Sequence, residues 1–423
     1  QVFHAGIGSV AVPGNIAGLF HIHRQLGSMP FAQLAAPAID AARNGVEVTT
    51  FFKQCYDLCA PCLLSHPTGR QHFQPEGRAP ETGEYFKQPV LATALEHLAL
   101  NGPDEFYRGE IARQIVKDCH EQGGYLSMQD MENYRVIERE PLKISYRDYQ
   151  VYTNPPPSAG GALVCYTLKL MEHEPVGSFT FGSKEHLTLL VNAMRLTRVE
   201  RKRRFDDFVY DEDVIQRFFN EEDLAALQRI LSHSISKAGN TTHFTVCDRQ
   251  QNVASITTTV GEGSGYVVPG TGISLNNMLG EEDLTPGGSH KFIGDRRLTS
   301  MMAPTILPRH DQPVMAVGSG GANRIRSVIA QVISNLVDFD MPPRQVVNHQ
   351  RLHWENNQLD LEPGYNGHEV SCIYSKEPLE VRRWQSKGFY FGGAHAAFFQ
   401  ADGSLVPAGD KRRVGAEATI KKA

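Results

Sequence analysis

The dominant periodicity of the chain changes close to residue 240. Upstream, apolar residues recur at helical spacing; downstream, they alternate. Phe244, Val246 and Asp248 alternate, a turn follows at 249–252, and Val253, Ser255, Thr257 and Thr259 resume the alternation with Ala254, Ile256 and Thr258. That pattern predicts a β-hairpin. Upstream, residues 15–44 read as two helices, with Ile16, Leu19 and Phe20 on one apolar face and Leu34, Ala35, Ile39 and Ala42 on another; Gly45 ends the second. Residues 91–100, 111–122 and 128–134 read as three more, the second stopped by Gly123 and Gly124 and the third capped by Ser127. Residues 65–82 have loop composition. A strand over 146–152 runs into Pro155, Pro156 and Pro157, a rigid loop, and helices over 162–171, 184–204 and 221–236 follow. Past the hairpin the chain is β-rich, with one helix over 325–336. Helices first, then hairpins and a glycine-rich loop feeding a helix, predict helix layers packed on sheets.

The chain has 423 residues, 41% hydrophobic and 21% charged, enough for a large core and, at about 150 residues per domain, two or three domains or one large α/β unit. The net charge of −5 gives no electrostatic case for nucleic acid or an anionic membrane. The basic run Arg195, Arg198, Arg201, Lys202, Arg203 and Arg204 is flanked by Asp206, Asp207, Asp211, Glu212 and Asp213; it is expected to be a solvated helix face. No stretch approaches the ~20 apolar residues of a membrane span. The sequence opens on Gln1 with no visible basic and apolar leader, so the compartment is not legible there. Seven cysteines are too few, and odd in number, for a disulfide scaffold. Cys55, Cys59 and Cys62, with His66 nearby, are read as small apolar side chains on a helix in preference to a metal site. His21 and His23 point to different helix faces and make no metal pair.

Three features carry chemistry. At 240–243 an Asn-Thr-Thr-His junction opens the hairpin. A threonine hydroxyl is a weak nucleophile without a base; its own α-amine can serve once cleavage before Thr241 frees it. The hydroxyl can itself attack the preceding peptide carbonyl, giving an ester that water opens. Neighbours on a strand face opposite ways, so His243 is expected to be a packed or hydrogen-bonded histidine, not a dyad partner of Thr242. The second feature is the run from Ala316 to Gly321, read as strand, then glycine-rich loop, then helix. It can aim backbone N–H groups at an oxyanion and lacks the Lys-Ser/Thr of a phosphate loop. The third is a polar cluster of Asn276, Asn277, Glu281, Glu282 and Asp283, suited to recognising a substrate amine.

In order along the chain stand Val-Pro-Gly-Asn-Ile-Ala-Gly at 12–18, Asn-Gly-Pro-Asp-Glu-Phe-Tyr at 101–107, Pro-Pro-Pro-Ser-Ala-Gly-Gly at 155–161 and Asn-Thr-Thr-His-Phe at 240–244. Leu-Asn-Asn at 275–277, Ser-Met-Met-Ala-Pro-Thr at 300–305, Gly-Ser-Gly-Gly at 318–321 and Phe-Gly-Gly-Ala-His at 391–395 follow. With these motifs, essentially the whole chain resembles the γ-glutamyltranspeptidases (glutathione hydrolases) of the N-terminal-nucleophile hydrolase superfamily. The resemblance implies an αββα four-layer sandwich. It also implies autocleavage between Asn240 and Thr241 into a large-subunit part, 1–240, and a small-subunit part, 241–423, that stay associated.

By the same resemblance Thr241 is the nucleophile, Thr259 orients it, and backbone N–H groups near Gly320 and Gly321 hold the oxyanion. Asp283 or Glu282 binds the substrate α-amine, Ser300 helps bind the α-carboxylate, and Asn277 belongs to the same substrate-binding set. The substrate is a small γ-glutamyl compound of the glutathione kind. A γ-glutamyl-Thr241 ester then passes to water, an amino acid or a peptide, with no metal or organic cofactor implied. Family members are often exported. The sequence departs from the family in three places: the segment before the Val-Pro-Gly motif that carries a carboxylate-binding Arg is expected to be missing, Met301 stands where many members have a second serine, and Gly261 stands where the pattern has Asn. All three concern α-carboxylate recognition. The alternatives are an acylase for glutaryl or poly-γ-glutamyl groups, and an uncleaved, non-catalytic relative.

Overall fold

Helix-forming sequence dominates the first half, and most of it gathers into one of two units. The computed structural model describes residues 4–220, 224, 241–281, 284, 293–373 and 379–420. The helix expected over 221–236 therefore lies outside the described residues, Leu224 apart. One unit comprises Gln1–Glu138 and Val260–Arg296, the other Arg139–Thr259 and Arg297–Ala423. Each draws on chain from both sides of residue 240.

The first unit holds helices α1 (Asn15–Leu26), α2 (Phe31–Asn44), α3 (Thr50–Leu63), α4 (Pro89–Asn101) and α5 (Glu110–Gln122). Their ends follow local chemistry. Thr49 caps α3 by accepting the Phe52 N–H, and Gly123, at φ 78°, supplies the left-handed residue that closes α5. Ser127 opens the short helix Met128–Asn133 with a reciprocal capping box to Asp130. Two expectations change. Residues Pro67–Phe73 form a helix inside the stretch read as loop, because Pro67 sits at the helix start, where its missing N–H costs nothing. Leu19 and Leu34, placed on apolar faces, are about half exposed, whereas Phe20 is buried and stacks on Phe31 at 4.0 Å. The core gathers Val10, Leu98, Phe106, Ile115, Met131 and Tyr266; the Tyr266 hydroxyl donates to buried Asp118 at 2.6 Å.

The second unit is built on a six-stranded sheet. Its strands are β1 (Leu142–Tyr146), β2 (Tyr149–Thr153), β5 (Thr305–Arg309), β6 (Gln312–Gly320), β7 (Gly393–Phe399) and β8 (Leu405–Ala408), in the order β8-β7-β6-β5-β2-β1. The hairpin strands β3 (Thr241–Cys247) and β4 (Val253–Thr259) form a separate two-stranded sheet. The single strand read over 146–152 is a hairpin instead: Arg147 takes φ 55° and turns the chain, so Tyr146 pairs with Tyr149. The glycine-rich run is also more regular than expected, since β6 continues through Gly320.

Strand β6 is buried from Met315 to Gly320, the pattern of a strand covered on both faces. Met315 and Val317 face a helical layer and share a core with Ile325, Val328 and Ile329 of α8 (Arg324–Val337). Helix α6 (Ala159–Met171), apolar nearly all round, is buried between the sheet and its neighbours, and α7 (Lys184–Glu200) packs on it. The alternate residues, Gly318 and Gly320, face the β3–β4 hairpin. This unit thus stacks helices, sheet and hairpin, the α/β sandwich expected; among the described residues Phe244 and Val246, on the hairpin's outward side, are exposed.

The basic run that starts on α7 and continues to Arg204 is the solvated face expected only in part: Lys202 and Arg203 are exposed, whereas the other four side chains turn inward. Arg195 is 1% exposed, Arg198 pairs with buried Glu355, Arg201 bonds Asp206 at 2.8 Å and Arg204 bonds Glu200 at 2.9 Å. Acidic partners on α7, the following turn and the strand Leu352–Glu355 draw these guanidinium groups inward.

Candidate functional site: the Thr241 hairpin against the β6 glycines

Antiparallel pairing sets the geometry. Thr241, the first residue of β3, stands directly opposite Thr259, the last residue of β4. Directly opposed side chains share a face, and the Thr241 Oγ1 lies 3.4 Å from the Thr259 Oγ1. The side-chain period of two places Thr241, His243 and Thr245 on one side and Thr242, Phe244 and Val246 on the other. Burial follows: His243 is 5% exposed and Val246 61%.

The inward side of β3 rests on glycine because nothing larger fits. A Cβ on Gly318 would stand 2.2 Å from His243 Nδ1, and one on Gly320 would stand 2.0 Å from the Thr241 carbonyl oxygen. Two glycines at a spacing of two therefore form a bed for two inward residues at the same spacing. Gly321 turns the chain out of β6 at φ 134°, a region that favours glycine, and its added Cβ would meet Gly392 Cα at 2.9 Å. Helix α8 begins three residues later.

His243 is a hydrogen-bonded structural histidine, as read from the strand period. Its Nδ1 lies 2.8 Å from the Thr257 hydroxyl and its Nε2 2.9 Å from the Thr245 hydroxyl. Burial, helped by neighbouring His395, pushes its pKa down to about 3. The ring is neutral near neutral pH and brings no charge to the hairpin.

Arg413 was not foreseen. Its Nη1 lies 2.9 Å from the Cβ position of Gly320, and its Nη2 3.5 Å from that of Gly321. The guanidinium stacks 3.9 Å above the Phe389 ring. Arg412, one residue earlier, is buried, donates to Glu362 at 2.6 Å and to Asp410 at 3.2 Å, and so anchors the segment. The only sequence signal was the Lys-Arg-Arg run at 411–413, which by composition reads as solvated charge.

The remaining expected site residues have local partners of their own or lie outside the description. Ser300, in the second unit, bridges to Ser158; its hydroxyl accepts the Met302 N–H at 3.0 Å, and its carbonyl accepts the Ala159 N–H at 2.8 Å. Asn277 belongs to the first unit and is fully buried: its Oδ1 accepts the Glu262 N–H at 2.9 Å and its Nδ2 donates to the His4 carbonyl at 3.1 Å. Asn276 pairs with both backbone groups of Ala11. Asn240, Glu282 and Asp283 lie outside the described residues.

The sequence model of the gamma-glutamyltranspeptidase family matches residues 1–420. The chain belongs to that family. Similar proteins include the glutathione hydrolase proenzyme of Escherichia coli K12, 27% identical over 95% of this chain and 73% of its own length. An acylase ACY 1 proenzyme of Pseudomonas sp. SE83 is 29% identical over 98% of this chain and 76% of its own. Among solved structures, a cephalosporin acylase from Bacillus halodurans superposes with a TM-score of 0.86 over 99% of this chain and 80% of its own, at 24% identity, which establishes the shared fold. Both sequence relatives are named as proenzymes, and the family is one of enzymes.

Proposed function

We propose that this protein is a γ-glutamyl hydrolase and transferase that matures by cleaving itself before Thr241 and then uses the Thr241 hydroxyl as nucleophile. In maturation the hydroxyl attacks the carbonyl carbon of residue 240. The peptide C–N bond breaks, an ester forms, and water opens it to leave a carboxylate on one fragment and a free Thr241 amine on the other. In turnover that amine takes the hydroxyl proton as the oxygen attacks the γ-glutamyl amide. The leaving amine departs protonated, and a γ-glutamyl-Thr241 ester remains. Water, an amino acid or a peptide then accepts the acyl group.

One observation carries this reading: Thr241 opens β3 opposite Thr259, with the two hydroxyls 3.4 Å apart and its own carbonyl pressed onto Gly320. Thr259 orients the nucleophile. The turn at Gly320 and Gly321, just ahead of α8, is suited to stabilising an oxyanion, a contribution of about 3–4 kcal/mol where such donors have been removed. Arg413 adds positive potential at the same glycines. In the proposal Ser300 contacts the substrate α-carboxylate, Glu282 or Asp283 its α-amine, and Asn277 fixes the backbone of the loop that carries Glu262. The two fragments remain associated after cleavage.

A second reading keeps the nucleophile and changes the acyl group: an acylase for glutaryl or related side chains. Gly261 at a position where the family pattern has Asn supports it, as does the similarity to an acylase proenzyme. Paired γ-glutamyl and glutaryl anilides test the two. The first reading predicts preference for the γ-glutamyl compound and loss of turnover in Thr241→Ala. Equal turnover of the two would favour the second, and full activity in Thr241→Ala would overturn both.

A further inference from the structure

Away from the hairpin, the first unit brings together three side chains that the proposed reaction does not use. His4 comes from the segment before Ile7, Cys62 from the last turn of α3, and Glu262 from the loop after β4. The His4 Nε2 lies 3.0 Å from Glu262 Oε2, the Cys62 Sγ lies 3.5 Å from the same oxygen, and the ligand atoms all lie within 4.8 Å of one another. Ligands about 2.0–2.3 Å from one ion stand roughly 3.3–3.8 Å apart around a tetrahedron. Small side-chain shifts bring the three onto that spacing.

We propose that His4, Cys62 and Glu262 form a zinc site. Thiolate, imidazole and carboxylate together suit Zn²⁺, whereas Mg²⁺ and Ca²⁺ take oxygen ligands. Three protein ligands leave a fourth position for water.

The surroundings are arranged as outer partners of a metal site are. The His4 Nδ1 lies 2.9 Å from the Gly280 carbonyl oxygen. It donates there, so Nε2, which bonds Glu262 at 3.0 Å, is the ring nitrogen that would bind the ion once its proton is released. Asn277 joins the His4 carbonyl to the Glu262 N–H, so one buried amide holds two ligand-bearing segments in register. Cys62 is 8% exposed. Burial, with Glu262 beside it, pushes its thiol up to about 12, so binding requires the ion to displace the thiol proton to solvent as the Zn–S bond forms. The cysteine spacing noted in the sequence is not the organising pattern: His66 bonds Thr68 and Gln122 instead.

The test uses the full chain, stripped with a chelator and titrated with Co²⁺ and then Zn²⁺. A thiolate-to-cobalt band in the near ultraviolet, with intense tetrahedral bands in the visible, is expected; Zn²⁺ should bleach both. Cys62→Ser should abolish the near-ultraviolet band and Cys59→Ser should keep it. Asn277→Ala should weaken Zn²⁺ binding by about 10- to 100-fold. Circular dichroism identifies any variant that misfolds; if Cys62→Ser does, His4→Ala must lose tight Zn²⁺ binding in its place. Absence of the near-ultraviolet band in the unmodified chain overturns the site, as does a band that survives Cys62→Ser. The readout is independent of turnover, so it stands or falls separately from the γ-glutamyl reading.

Discussion

Replacing Gly320 by alanine adds one methyl group beneath the nucleophile. Its carbon would lie 2.0 Å from the Thr241 carbonyl oxygen and 3.0 Å from the carbonyl carbon, whereas ordinary contact begins at 3.4 Å. The obstacle is backbone, so no rotamer change relieves it. The strand must rise by about 1.4 Å at Thr241, or β6 must sink by as much into a layer already buried from Met315 to Gly320. Overpacking of this kind costs about 1–3 kcal/mol of stability. A displacement of about 1 Å at a reacting group costs on the order of 100-fold in rate, or about 2.7 kcal/mol of barrier. Gly320→Ala is therefore expected to fold, to unfold at lower denaturant concentration, and to lose about 100-fold in both self-cleavage and anilide hydrolysis. Gly18→Ala is the control: it lies within α1, with nothing within 4 Å of the added Cβ, and should gain up to about 1 kcal/mol. The assays are denaturant unfolding, fragment formation followed by mass, and release of the anilide chromophore. Wild-type rates in Gly320→Ala would refute the placement of Thr241 on the glycine bed.

Thr259→Ala removes the partner of the Thr241 hydroxyl. An ordinary hydrogen bond is worth about 0.5–1.5 kcal/mol, so turnover should fall about 2- to 10-fold, measured as kcat with fold and self-cleavage monitored separately. His243 is held neutral, its pKa pushed down to about 3 from 6.5; between those values the unfolded chain binds a proton that the folded one does not, so stability falls as pH drops through that window, by up to about 1.4 kcal/mol per unit from this group. Denaturant unfolding at a series of pH values should show a shallower slope in His243→Gln; an unchanged slope would remove His243 as the source. Arg412→Met leaves buried Glu362 and Asp410 short of their shared cation. A loss of about 3–5 kcal/mol is expected in denaturant unfolding, with activity falling as the anchor of Arg413 is released.

What the sequence disclosed follows from how local each signal is. Helix stops at Gly45 and Gly123 and the cap at Ser127 depend on neighbours in the chain, and each falls where expected. The hairpin depends on a period of two, which 241–259 displays without interruption outside its turn. The assignments that changed depend on distant partners. Arg198 turns inward because Glu355, far along the chain, meets it, and no periodicity reports that. Gly318 and Gly320 are strand residues because β3 needs their missing side chains; composition alone reads such a run as loop. Arg413 reaches the site because its neighbour Arg412 is fixed by Glu362 and Asp410, and Cys62 meets His4 and Glu262 rather than the cysteines beside it in the chain. Pairing across the fold decides all of these.

The central claim is that Thr241 becomes a chain terminus and acts as the nucleophile. It is tested most directly by the intact mass of the purified, denatured protein, with N-terminal sequencing of each species. Two fragments are predicted, one of them beginning Thr-Thr-His-Phe, and a single full-length species in Thr241→Ala. One uncleaved species in the unmodified protein after prolonged incubation, or cleavage at any other bond, would contradict the account.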